Sequence, residues 1–268
     1  MAEKPRQIDE PIGESRVGDK YKGSRTWQEA MENKQEVYTA KEIFDLIQTN
    51  EQPKLDADSM RAALLERGMK EEDVNLALEL MACIGAVNFL AFGKRDVLLE
   101  FRTKKGSNQD LLAGYNRAEE KQPESFLVYV KDLFKDVSEQ LAQKFYSLRN
   151  VNNENRPNKT KEELFLGVAV HEVRHRLQKQ SGFKMFSIDE ISSEKDETIR
   201  KVLTYTRNLF EEEEKRFRKE NRGEKVVRNR ISPEEFDASA TEYLAHNKLH
   251  EGMNLENFML LVRSQPEK

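Results

Sequence analysis

The chain has 268 residues, which is enough to bury a substantial core in one large domain or two smaller ones. Charged residues make up 35% of the chain and its formal net charge is -4, so the composition indicates a solvated, helix-rich protein without a general attraction to nucleic acid. The longest apolar zone, residues 81–92, is interrupted by Gly85 and Asn88 and is too short to predict a membrane span. Because there is one cysteine, Cys83, and the first residues lack the apolar core of a signal peptide, we expect a cytoplasmic protein.

The N-terminal part of the chain combines a polar leader with several short predicted elements. Residues 1–36 show no sustained apolar periodicity and are predicted to be a flexible leader. Thr39 and Glu42 have the spacing of a capping box, which predicts the start of a helix. Periodicity and turn residues then predict two helices at 59–67 and 71–83, followed by a hairpin of two strands at 86–92 and 97–102.

This order of three helices and a hairpin resembles the winged-helix class across residues 39–103, so we expect a winged-helix-like module over residues 37–105. In a DNA-reading winged helix the third helix would carry Lys and Arg. Here the third helix carries Glu71, Glu72, Asp73 and Glu79. That charge favours packing or protein interaction over DNA recognition.

Residues 106–268 are predicted to form a helical second domain, with a soft internal boundary near residues 149–159, where the run RNVNNENRPN is typical of a loop or linker. Amphipathic patterns and capping signals predict helices at 109–121, 124–148, 161–180, 193–221, 232–251 and 255–262. The expected fold class is therefore mainly α (α+β), with one β-hairpin.

The strongest chemical motif is His171-Glu172-Val173-Arg174-His175, which has the H-E-x-x-H form. On a helix, side chains at i and i+4 share a face, so both imidazoles can reach one Zn²⁺ at about 2.0 to 2.1 Å. Glu172 would then lie beside the metal, where it can take a proton from an attacking water molecule. The preceding residues 164–170 are apolar, which predicts a buried helix whose polar groups need partners.

A buried helix bearing HEVRH resembles the zincin superfamily of zinc metallopeptidases. The resemblance implies that His171 and His175 bind zinc, that Glu172 is the catalytic base, and that a third ligand lies further along the chain. The metzincin extension with a nearby third histidine is absent. In gluzincins the third ligand is a glutamate on a downstream helix, and residues 232–240 resemble the E-x-x-A segment that supplies it. Glu235 is the ligand that this resemblance indicates, although Ser239 stands where family members often have a supporting Asp.

Several alternatives to Glu235 remain open in the sequence. Ser232 and Glu235 also have capping-box spacing, so this carboxylate could cap its own helix. Glu242 and His246 lie on the same helix face as Glu235 and are alternative ligands. His246 could instead orient a ligand without binding the metal, or be a helical histidine whose hydrogen bonds are satisfied. Asp237 is a lesser candidate because it is about 200° around the helix from Glu235. Arg174 and Arg176 are expected to pair with acids such as Asp237.

The sequence therefore predicts a zinc metallopeptidase that hydrolyses peptide or protein substrates and binds neither nucleic acid nor membrane. The alternative function is a catalytically silent zincin-like module that regulates or binds other proteins. A third possibility, a di-iron helical bundle, needs a second E-x-x-H besides Glu172 and His175, and the chain has none.

Overall fold

The computed structural model describes residues 26–33, 35–49, 57–93, 97–102, 112–116, 123–142, 159–181, 188–193 and 233–263, with single positions between 195 and 211. This part of the chain is mainly helical with a small three-stranded sheet, as the α+β prediction requires. The elements in chain order are α1 Trp27–Met31, α2 Ala40–Gln48, α3 Ala57–Glu66, α4 Glu71–Phe92, β1 Leu98–Arg102, β2 Ala113–Asn116, β3 Ser125–Tyr129, α5 Leu133–Ala142, α6 Lys161–Ser181, α7 Ile188–Ser193, α8 Pro233–Glu251 and α9 Leu255–Arg263.

Capping boxes begin the first two helices. Thr26 caps α1 together with Glu29, and Thr39 caps α2 together with Glu42, as predicted. Helix α1 falls inside the segment predicted to be a flexible leader, yet Trp27 is buried in the core. Residues 1–25 lie outside the described part of the chain, and so do residues 103–111, which contain the boundary predicted after residue 105, and residues 143–158, which contain most of the soft boundary near residues 149–159.

Helix α4 is longer than predicted, and the hairpin that was expected to follow it is wrong. The helix continues through residues 86–92, predicted as a strand, and ends at Gly93, whose φ of 62° lies in the left-handed region. The apolar run 86–92 is compatible with a buried strand or a buried helix, and its periodicity does not separate the two. Strand β1 pairs with β3 in parallel, so it is not half of a hairpin. The hairpin that was expected to form the wing of the winged-helix-like module is therefore not formed by the described residues 86–92 and 97–102.

The helix predicted at 109–121 is wrong at residues 113–116, which form a strand, and the helix predicted at 124–148 is wrong in its first part. Strand β2 pairs antiparallel with β3, and the sheet has the order β1-β3-β2. Strand β3 is the central strand and is buried along most of its length, so the middle of its sequence, residues 126–128, is continuously apolar and lacks the alternation of a half-exposed strand. Asp132, with φ of 61°, turns the chain into α5, Leu133–Ala142, and the rest of the second predicted helix, residues 143–148, lies outside the described residues.

Helix α4 has the length and composition to cross a membrane, with a mean hydropathy of 1.8 over its best window, but 56% of that window is buried inside the protein. Two of its polar side chains have partners in other elements. The Asn88 side chain accepts a hydrogen bond from Arg176 Nη1 at 2.8 Å, and the Asp73 carboxylate accepts one from the backbone N–H of Phe134 at 2.7 Å. These contacts are typical of the core helix of a folded domain.

Helix α6 lies at the centre of the described fold and contacts α2, α4, α5, α8, α9 and β2. Its bounds and those of α8 and α9 agree with the predicted helices at 161–180, 232–251 and 255–262. The predicted helix at 193–221 lies largely outside the described residues. Because α6 and α8 pack directly on each other, the two segments that carry the predicted ligands are neighbours in space.

Candidate metal centre

A polar seam joins α6 to α8. Three residues of α6 at four-residue spacing meet three residues of α8 at the same spacing, in the opposite order along the chain, so the two helices are antiparallel. The seam consists of Glu163 with His250, Gly167 with His246, and His171 with Glu242. Two of these pairs are close polar contacts, at 3.1 Å between Glu163 and His250 and at 3.0 Å between His171 and Glu242.

Three side chains converge at the open end of this seam. His171 Nε2 and His175 Nε2 are 3.2 Å apart, and the two Glu235 oxygens lie 3.2 Å from one ring nitrogen each. A tetrahedral Zn²⁺ with bonds of about 2.0 to 2.1 Å holds its ligand atoms about 3.3 to 3.4 Å apart. The donor atoms of His171, His175 and Glu235 therefore already have the spacing that such an ion requires, and two imidazoles with one carboxylate are a common zinc donor set.

The two histidines are oriented by hydrogen bonds on the far side of each ring. Nδ1 of His171 meets Glu242 Oε2 at 3.0 Å, and Nδ1 of His175 meets Gln178 Oε1 at 3.0 Å. The Gln178 amide nitrogen donates to the Glu234 carbonyl and to Asp237 Oδ2, which leaves its oxygen to accept from His175. With the proton on Nδ1, the Nε2 lone pair of each ring is directed to the point between the three ligands.

A buried ion pair fixes the two helices beside the site. Arg174 donates to both oxygens of Asp237, at 2.6 and 3.0 Å, and both side chains are buried. The expectation that Arg174 pairs with Asp237 is therefore confirmed, and Asp237, a lesser candidate for the third ligand, serves the pair instead. Arg176 also pairs with an acid, Glu124, at 3.3 Å, and it contacts Asn88 and the ring of Phe92 as well.

The buried residue Glu172 lies within electrostatic reach of both histidines and of two carboxylates, Glu235 and Glu242. Burial raises the pKa of Glu172, and the neighbouring histidines offset only part of that effect. A raised pKa makes the carboxylate a stronger base, which favours its taking a proton from a neighbouring water molecule.

The charges of the site favour a cation at its centre. Burial lowers the pKa of His171, but hydrogen bonds to Glu235 and Glu242 outweigh it and hold that pKa well above the usual value. The hydrogen bonds with His171 and His175 lower the pKa of Glu235 against the opposing effect of burial. For Glu242, burial raises the pKa, yet hydrogen bonds with His171 and His246 bring it well below its usual range. Two carboxylates thus remain ionised around a positive charge.

Glu242 and His246, the alternative ligands in the sequence, do not join the triangle of ligand atoms. Glu242 contacts the back of His171, and His246 Nε2 lies 3.3 Å from the other Glu242 oxygen. The competing capping interaction of Glu235 involves Ser232, which lies outside the described residues, whereas the Glu235 carboxylate reaches both histidines. Sequence reasoning missed Gln178, although its position three residues after His175 places it on the same helix face.

Comparisons of the chain with protein-family models, with curated proteins and with solved structures find no match. The chemistry of the site must therefore be inferred from its own residues. These are two imidazoles with inward-facing nitrogens, a carboxylate at ligand spacing from both, and a second carboxylate with a raised pKa beside them.

Proposed function

We propose that the protein is a zinc-dependent metallopeptidase with a zincin-like helical site, acting on peptide or protein substrates in the cytoplasm. The observation that carries the proposal is the convergence of His171, His175 and Glu235: the two Nε2 atoms are 3.2 Å apart, and each lies 3.2 Å from a different oxygen of Glu235. The H-E-x-x-H pattern supports a catalytic zinc, because it puts an acid between two ligands on one helix.

The division of roles follows from the side chains around the triangle. Zn²⁺ bound there supplies a Lewis acid that polarises the substrate carbonyl and makes water a better nucleophile at neutral pH. Glu172 takes the proton of the attacking water and delivers it to the leaving nitrogen, which its raised pKa suits. Glu242 and Gln178 keep the two imidazoles turned toward the metal throughout.

The exposure of the three ligands supports access from one side. The histidine side chains are 13% and 15% exposed, whereas Glu235 is 44% exposed. Solvent therefore reaches the centre past Glu235, and a substrate can approach the same way. A structural zinc site is usually closed by a fourth protein ligand, whereas three protein ligands and an open position are typical of catalytic zinc.

The test is the substitution Glu172→Gln, with the zinc content and the hydrolysis of a diverse peptide mixture measured for each protein. We expect one zinc per chain in both proteins, and a loss of hydrolysis of at least about 100-fold in the variant, because the amide cannot accept the proton. The matched control is Glu162→Gln in the first turn of the same helix, which should leave both quantities unchanged.

Each other outcome has a definite meaning. Zinc without hydrolysis in the wild-type protein would contradict the peptidase proposal and support the silent zincin-like module. Iron in place of zinc, measured by elemental analysis, would support the di-iron interpretation. Failure of the wild-type protein to bind zinc after reconstitution would overturn the metal site itself.

A further inference from the structure

We propose that Glu242 and His246 act as a positioning pair that holds the His171 imidazole in its zinc-binding orientation, and that Gly167 makes the room this pair needs. The inference rests on the proposed zinc site and concerns residues behind it. His246 does not touch the ligand triangle and acts through Glu242, so it is a positioning residue.

The Glu242 carboxylate is held between two imidazoles. Its Oε2 atom lies 3.0 Å from His171 Nδ1, and its Oε1 atom lies 3.3 Å from His246 Nε2. Because each oxygen meets a different ring, the plane of the carboxylate is fixed with respect to both helices. If the His246 side chain were removed, the Glu242 carboxylate could rotate. The hydrogen bond that orients the His171 ring would then no longer have a fixed direction.

The His246 ring is held in one position by its burial and by its contact with Gly167. Its residue is 1% exposed, and its ring lies against the backbone of Gly167 on α6. A Cβ atom at position 167 would lie 2.3 Å from His246 Cε1 and 2.6 Å from His246 Nε2, which is closer than real atoms approach. The ring therefore occupies the volume that any other residue at position 167 would need.

The position of Gly167 links this close packing to the metal site. It precedes His171 by one helical turn, so the ring of His246 fills the surface of α6 directly beside the first zinc ligand. A glycine in the interior of a helix is less stable than an alanine when nothing else distinguishes them. Its presence at position 167 is accounted for by the close approach of the His246 ring.

The first experiment measures the affinity for Zn²⁺ by competition with a chelator. We expect His246→Ala to weaken zinc binding by about 10- to 100-fold, the usual effect of losing a residue that orients a ligand. His246→Gln should recover part of the loss, because its amide can donate to Glu242. The matched control is His250→Ala, four residues further along α8, where the side chain contacts Glu163 at the far end of the seam. That variant should bind zinc like the wild-type protein.

A second readout separates positioning from folding. With Co²⁺ in place of zinc, the visible absorption spectrum reports the geometry of the ligands. His246→Ala should change that spectrum, whereas His250→Ala should leave it as in the wild-type protein. If His246→Ala does not fold, as judged by its circular dichroism, His246→Gln is the variant that tests the inference. The Co²⁺ absorption spectrum of His246→Gln should be closer to the wild-type spectrum than the spectrum of Gly167→Ala is.

The role of Gly167 is tested with Gly167→Ala and with the double variant Gly167→Ala/His246→Ala, both without metal. The single variant should unfold at lower denaturant concentration than the wild-type protein, despite the higher helix propensity of alanine. The double variant should recover stability, because the displaced ring is absent, while its zinc affinity stays low. A double variant no more stable than Gly167→Ala would refute the proposed packing.

The failure of this inference can be distinguished from failure of the zinc site. Unchanged zinc affinity and an unchanged Co²⁺ spectrum in His246→Ala would overturn the positioning pair and leave the metal site intact. A wild-type protein that binds neither Zn²⁺ nor Co²⁺ would overturn the proposed site and the positioning pair together.

Discussion

His171 differs from His175 in lying between two carboxylates, those of Glu235 and Glu242. Nδ1 meets Glu242, and Nε2 lies 3.2 Å from both His175 Nε2 and a Glu235 oxygen. Without metal the ring lies between two ionised carboxylates, and its pKa is well above the usual value. In the metal-free protein, a proton on the His171 ring therefore supplies the positive charge between the two carboxylates that a metal ion would supply.

This proton makes the metal-free protein sensitive to pH. A raised pKa in the folded state contributes stability that is complete below the unfolded pKa of about 6.5 and is lost as the pH rises through the folded value. We expect the free energy of unfolding in a chelator to fall as the pH rises above about 6.5. The fall should be up to about 1.4 kcal/mol for each pH unit between about 6.5 and the pKa of His171 in the folded protein. Denaturant titrations at pH 6 and pH 9 would measure the fall.

The control for this prediction is His171→Gln, which has no proton to lose at this position. The contribution of His171 is the difference between the two proteins, and an equal fall in both would contradict it. The lowered pKa values of Glu235 and Glu242 act in the other direction, since their contribution is present above about pH 4.5 and is lost on acidification.

Gln178 should have a measurable effect on zinc binding, although it does not contact the ligand triangle. Its oxygen accepts from His175, and its amide nitrogen donates to Asp237 and to the Glu234 carbonyl. We expect Gln178→Ala to weaken zinc binding by about 10-fold, since His175 loses its orienting partner. Chelator competition would measure the change, and the exposed Gln180→Ala on the same helix should show none.

The sequence could predict the residues of the site that are related by local geometry. His171, Glu172 and His175 follow from the spacing of one helix, and Glu235 was indicated by the segment that it begins. The partners of the two histidines depend on how α8 lies against α6, which a single sequence does not reveal. For that reason the sequence indicated Glu242 only as a possible metal ligand and not as the partner of His171 Nδ1. The close approach of the His246 ring to Gly167 could not be predicted either.

At the scale of elements, the antiparallel contact of α6 and α8 builds the site. The buried pair of Arg174 and Asp237 spans this contact, with two hydrogen bonds that cross from one helix to the other. Breaking a buried ion pair costs more than forming it gains, because the remaining charge is left without compensation. The pair therefore specifies how the two helices align beside the metal.

We expect Asp237→Asn to destabilise the protein by about 3 to 5 kcal/mol, since Arg174 would stay buried opposite a neutral group. Chemical denaturation in a chelator would measure the change without a contribution from metal. The matched control is Glu139→Gln, which breaks the exposed pair with Lys135 and should cost less than about 1 kcal/mol. Equal effects of the two substitutions would contradict the role assigned to the buried pair.

Among the elements, α2, α6, α8 and α9 were predicted correctly, because capping signals mark where they begin. Two of the errors fall where the chain is apolar on all sides. The C-terminal half of α4 and the central strand β3 are both almost completely buried, so no polar face marks their period. The identity of such segments is decided by their neighbours in the fold, here α6 and the two flanking strands.

At the scale of the whole molecule, a metal at this site would cross-link two helices that are distant in the chain. His175 and Glu235 are brought together only when α6 and α8 are packed, so the unfolded chain cannot bind with the same geometry. Binding of that kind stabilises the native state by mass action.

We therefore expect zinc to raise the thermal unfolding temperature, and to add about 2.7 kcal/mol to the free energy of unfolding when free zinc is 100 times its dissociation constant. Differential scanning calorimetry with zinc and with a chelator would measure the shift. Glu235→Ala should remove most of it while leaving the metal-free protein folded. A zinc-induced shift that persists in this variant would exclude Glu235 as a ligand.

Segments near the two ends of the described chain are in contact with each other. The backbone of Tyr38 exchanges two hydrogen bonds with Met253, and Trp27 packs edge-on against Phe258 of α9, with ring centroids 6.4 Å apart. Trp27 is the one tryptophan of the protein. Its fluorescence is consequently a native optical signal for the contact between α1 and α9, and it can tell whether the loss of that contact and the loss of zinc occur in one cooperative event or in two.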